Sequence, residues 1–180
     1  MKTVWWAAER YSGKTIMIYD SVPRGMVKRP VSLSPEAQAR IDRFVEEVDE
    51  RLASDEPTAD VVQELLARID GDGRVYERWQ AGKSLSLTER LRLDAYDPRH
   101  VHVKADSWAE KDEAAFRESK PLRWLWTGFD ASPLAHDVSV ALPFRQTLAN
   151  HLFADAGDDL QLFHGIRFPY GHNIEMGDRT

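Results

Sequence analysis

Apolar residues recur along the first two thirds of the chain at spacings of three and four, the spacing that lines one face of an α-helix. Ser34-Pro35-Glu36 opens the first such stretch, with Ser34 as N-cap, Pro35 at the first helical position and an acid at the positive end of the helix dipole. Ala37, Ile41, Phe44 or Val45, Val48 and Leu52 follow, and the pattern predicts one amphipathic helix ending before Pro57. A second helix is predicted from a Thr58 cap, with Val61, Val62, Leu65, Leu66 and Ile69 as its stripe and Gly71 and Gly73 as its stop. Ser86-Leu87-Thr88-Glu89 is a capping box, so a third helix is predicted to carry Leu87, Leu91 and Tyr96 as far as Pro98. Residues 105–119 are charged and helix-prone. Lys120-Pro121 then leads into an apolar patch, Leu122 to Trp126, interrupted at Gly128, and a last helix is expected from Pro143 through Leu152.

The pattern changes after Gly157. Gly165, Gly171 and Gly177 lie six residues apart, and Leu162, Phe168, Ile174 and Thr180 form a second series with the same spacing. A period of six is neither helical nor that of an alternating strand. It matches a β-helix, whose hexads each supply one short strand and a corner, with the apolar series inward and glycine relieving the turns, and a glycine-rich hairpin is the alternative. Three hexads close one coil.

Composition narrows the class of protein. The chain has 180 residues, 42% of them apolar, enough for one core. The 24 Lys and Arg against 30 Asp and Glu give a net charge of −6, which argues against electrostatic binding of nucleic acid. Residues 1–29 hold six basic side chains against two acidic ones, so the basic leader stands apart from an acidic remainder. Cysteine is absent, which removes disulfides, thiolate metal sites and cysteine nucleophiles together and points to a reducing, cytoplasmic setting. The apolar run Val4 to Ala8 stops at Glu9-Arg10, shorter than a secretory signal, and no segment has the length of a membrane span.

Few residues select a chemistry by their spacing. Ser12-Gly13-Lys14-Thr15 has the end of a phosphate loop, but Ala8 stands where its first glycine is needed, and Ile16 to Tyr19 reads as strand. Asp70-Gly71-Asp72-Gly73 hints at a calcium loop, yet Arg68 and Trp79 occupy positions that require acids, so a helix-stopping acidic turn is the better account. His100 and His102 would share a face if extended, without an evident third metal ligand. Trp124 and Trp126, with Leu122, Leu125 and Phe129, are expected to be core or an interface anchor. No Ser, His and Asp set is singled out by spacing.

Tyr170-Gly171-His172-Asn173-Ile174-Glu175-Met176-Gly177-Asp178 resembles the Tyr-Gly-x-Asn-Ile-x-Ile-Gly-Asp/Glu segment of the maltose and galactoside O-acetyltransferases, members of the hexapeptide-repeat acyltransferases. Ala109 to Trp126 resembles, more loosely, the helical preface of other acyltransferases of that superfamily, so the likeness runs from about Met26 onward. It implies an α+β chain: a basic extension over 1–25, with Met26 as an alternative start, a mostly helical region over 26–156, and the start of a left-handed parallel β-helix over 157–180. It also implies a homotrimer and transfer of an acyl group from acetyl-CoA or another acyl-CoA to a sugar or other hydroxyl acceptor; no metal is expected, and the charge and hydropathy above leave no nucleic acid and no membrane span in the expectation. The family's histidine base lies beyond Thr180, so no catalytic residue is assigned, and His164 and His172 are not given that role. The serine that contacts acceptor in the galactoside enzymes is replaced by Pro169, so substrate-binding residues also stay unassigned. Together these features lead to the expectation of an N-terminal fragment, inactive alone. The alternative is a non-catalytic helical interaction module that docks a partner through the patch at 122–129.

Overall fold

The computed structural model describes residues 7–11, 14–18, 32–109 and 111–180. Ser12 and Gly13 of the phosphate-loop-like stretch, and the leader's Arg24, Met26, Lys28 and Arg29, lie outside them. The described chain is mostly helical, with a small sheet, an α+β arrangement in which helices supply nearly all of the core.

Helix α1 spans Pro35–Leu52, and the Ser34 hydroxyl oxygen accepts from the Ala37 N–H at 3.2 Å, as the sequence predicts. Only Val48 of its stripe is fully buried, because α1 covers the core from outside. Its Arg51 bridges to Glu64 of α2, at 3.1 Å, and Phe44 stacks on Phe144 with ring centroids 5.8 Å apart. Helix α2, Thr58–Ile69, is central: Val61, Val62, Leu65 and Leu66 are all buried. Thr58 is its first helical residue rather than its cap; Pro57 holds the cap position without a side-chain bond.

Gly71, at φ +85°, reverses the chain after α2, a conformation that favours glycine. Gly73 does not belong to that stop. It opens helix α3, Gly73–Gln80, which the sequence pattern missed because its only fully buried residue is Tyr76. Helix α4, Leu87–Tyr96, has the predicted capping box, with Ser86 and Glu89 satisfying each other's backbone N–H groups. Its inward face differs from the expected stripe at two of three positions, since of Leu87, Leu91 and Tyr96 only the tyrosine points inward. Leu87 and Leu91 are 74% and 60% exposed, whereas Leu93 and Tyr96 are buried. Two polar contacts select that face: Gln63 Nε2 donates to the Leu93 carbonyl, and the Tyr96 hydroxyl donates to Asp72.

Helix α5, Glu113–Ala131, starts at Asp112, whose carboxylate accepts from Ala114 and Ala115, and runs on through Pro121. The sequence divides this stretch at Lys120-Pro121; the structure makes it one helix. Phe116, Leu122, Leu125, Trp126 and Phe129 are buried along one face, and this packing outweighs the backbone bond lost at the proline. Helix α6, Val138–Leu152, likewise begins five residues before Pro143, capped by Asp137, whose carboxylate accepts from Ser139.

Leu160, Leu162, Phe168, Ile174 and Met176 join the same core as Leu125 and Phe144, so the glycine-rich end packs on the helices. Strand β3, Asp155–Ala156, pairs in parallel with β4, Ile174–Met176, and β4 pairs antiparallel with β1, Ala7–Tyr11. With β2, Lys14–Ile18, at the outer edge, the sheet order is β2-β1-β4-β3. The basic leader thus contributes two strands to the structure. No helix among the described residues is long and apolar enough to cross a membrane.

Candidate functional site

The hexad segment faces the helices. Tyr170 is buried, with its ring edge-on to Trp108 at 5.8 Å and to Phe116 at 5.9 Å. Gly171 lies against Leu152: a Cβ there would sit 2.5 Å from the leucine Cγ, so a side chain has no room. His172 follows, half-buried, with Nδ1 2.9 Å from the Ser119 hydroxyl on α5. Burial lowers the His172 pKa below its usual 6.5, and the Asp112 carboxylate opposes that shift. The imidazole is therefore held toward its neutral form. Lys111, nearly buried, donates to the Trp108 carbonyl at 2.7 Å and sits 5.4 Å from the Phe116 ring centre.

Ser119 and His172 thus meet although 53 residues separate them, with Asp112 near enough to act on the imidazole through its charge, and no spacing rule signals such a set. It does not make a nucleophile. Ser119 is 6% exposed, its hydroxyl is also 3.3 Å from the Phe116 carbonyl, and Asp112 is spent on capping α5. The pair is better described as a polar tie between the hexad segment and α5.

The other histidines fall elsewhere. The His164 ring lies tilted by 34° against His136, ring centroids 4.4 Å apart, at the rim of a cleft of about 170 Å³ walled by Val138, Ala141, Leu142 and Phe163. Beneath it Arg145, 1% exposed, holds Asp130 and the carbonyls of Leu162 and Ala135. This buried cation, which ties α6 to α5 and to the hexad segment, carries no sequence signal. His100 turns toward Asp94 and Asp97, 3.6 and 3.9 Å away, and His102 is exposed. No cluster of three or more potential metal ligands occurs among the described residues. Asp72 of the acidic turn is buried, bonded to the Tyr96 hydroxyl at 2.8 Å and to Arg92 at 2.6 Å, which gives it a structural role. The burial of Tyr96 and its bond to Asp72 raise the phenol pKa.

In the tryptophan patch, Leu122, Leu125, Trp126 and Phe129 are core, and half-buried Trp124 donates to the Ala95 carbonyl. These side chains take part in the fold itself.

The hexad segment also pairs with the chain ahead of it. Ala154 N–H donates to the Ile174 carbonyl at 2.9 Å and Gly157 N–H to Met176 at 2.8 Å. Arg179 N–H donates to Asp158 and Gln161 N–H to Thr180. Asp155 stands opposite Glu175, so the backbone returns beside itself in parallel after 20 residues, two more than three hexads. Comparison with family models, with curated proteins and with solved structures gives no significant match.

Proposed function

We propose that this chain is the front portion of a hexapeptide-repeat acyltransferase, with the helices as a preface and residues 154–180 as the first coil of a left-handed β-helix. The parallel return of 154–161 against 174–180 carries this reading. Parallel neighbours need a crossover of a dozen residues or more, commonly a helix; here the connection contains none. Leu162, Phe168 and Ile174, one per hexad, are all buried, which is the inward series a coil requires.

In this reading the acceptor hydroxyl oxygen attacks the thioester carbonyl of acyl-CoA. A carbon–oxygen bond forms, the carbon–sulfur bond breaks, and the hydroxyl proton passes through a histidine base to the departing thiolate. His172 does not serve as that base, because its Nδ1 is engaged with buried Ser119. The base is expected in a later coil or loop, encoded beyond codon 180, where trimer contacts would also form.

The test begins with the DNA that follows codon 180, translated in all frames. Further Ile-Gly-Asp hexads and a loop histidine are expected, and the chain including them should release CoA thiol from acetyl-CoA when given a hydroxyl acceptor. Unrelated sequence in every frame, or acyl transfer by residues 1–180 alone, would overturn the proposal.

A further inference from the structure

Strand β4 has two hydrogen-bonding sides. The carbonyls of Ile174 and Met176 point toward β3, where they accept from Ala154 and Gly157. Backbone groups alternate sides along a strand, so Glu175 presents its N–H and carbonyl to the opposite side. That side is taken by β1, with Ala8 opposite Glu175 and Glu9 opposite Ile174. A β-helix stacks each coil on the far edge of the one before it. A strand following this coil would therefore add to β4 on the side that β1 covers.

We propose that the β1–β2 hairpin is a displaceable cap on the β4 edge, holding the Glu175 backbone groups that the next hexad strand would take. The capped and extended states then exclude each other. The identity of the competing strand rests on the acyltransferase reading; the cap itself does not.

Two features suit the hairpin to this role. It pairs with itself over five residue positions but with β4 over only two, so it can leave as a unit without first coming apart. β4 does not depend on it for burial, since Ile174 and Met176, 5% and 7% exposed, are packed in the helical core. An uncovered strand edge recruits other strands, and the hairpin blocks that until a strand of the same coil series arrives.

The chain has no cysteine, so an introduced pair reports the register directly. The A8C/E175C variant is oxidised and examined by intact mass and peptide mapping. Directly opposed Cα atoms in such a ladder are about 5.5 Å apart, within disulfide range. An intrachain disulfide is expected in A8C/E175C and not in T15C/E175C, because Thr15 lies on the outer strand opposite Arg10. No disulfide, or equal yield in the two variants, overturns the cap. In the chain lengthened by its own downstream hexads, the A8C/E175C yield should fall about tenfold or more, because a tethered strand competes at high effective concentration. An unchanged yield there overturns the competition. Absence of downstream hexads overturns the named competitor and the acyltransferase reading with it, while the first comparison still decides the cap.

Discussion

Arg145 offers the sharpest test of how the helices hold the hexad segment. It is 1% exposed, and its guanidinium donates to Asp130 Oδ1 through Nε at 3.1 Å and through Nη2 at 2.5 Å. Nη1 donates to the Leu162 carbonyl at 3.0 Å, and the cation lies 5.3 Å from the Phe129 ring centre. Arg145→Met keeps much of the side-chain volume but removes the charge, leaving Asp130, 14% exposed, with the Gly165 N–H at 3.2 Å in place of a cation. Breaking a buried pair by removing one partner costs about 3–5 kcal/mol, a large share of the 5–15 kcal/mol that holds a domain of this size. R145M/D130L removes both charges, and an apolar pair of similar volume is about neutral against the original. Urea unfolding followed by tryptophan fluorescence and helical circular dichroism should therefore place the double variant nearer the parent than R145M alone. A loss below about 1 kcal/mol for R145M, or a double variant no better than the single, would refute the assignment.

Three further predictions follow from close contacts and from one perturbed histidine. Gly128→Ala gains up to about 1 kcal/mol of helix propensity. Its Cβ, however, would sit 2.4 Å from Leu66 Cδ2 in the core, so a net loss is expected in urea unfolding, and a gain would mean that Leu66 yields easily. A Cβ at Gly157 would meet the backbone, 2.4 Å from Asp178 N and 2.6 Å from Gly177 C. Gly157→Ala should therefore strip hydrogen-exchange protection from 154–158 and 174–180 while leaving that of α2 and α5; unchanged protection of the return would contradict the pairing. His172 resists protonation in the folded state, so below pH 6.5 the unfolded chain binds the extra proton and stability falls with acidification. His172→Gln should flatten that part of the stability curve relative to the parent, and an identical slope would show that His172 is not its source.

The sequence by itself determined what local chemistry encodes. The Ser34 cap, the Ser86 and Glu89 box and the dense stripe of α2 each arise within a few residues, where spacing alone places a side chain against a backbone group or on one face. The period of six likewise singles out Leu162, Phe168 and Ile174, and all three are buried, in the core they share with the helices. The tertiary structure decided whatever depends on a distant partner. Pro121 and Pro143 read locally as boundaries, yet α5 and α6 pass through them because each helix buries a continuous face. Leu87 and Leu91 have core chemistry but lie outside, since Gln63 and Asp72 hold the other face of α4 inward. The ties from Arg145 to Asp130 and from Ser119 to His172 link residues with no common periodicity. Nor does any local pattern in the basic leader indicate that β1 reaches β4, because strand pairing across the length of a chain depends on which backbone edges the packed helices leave available.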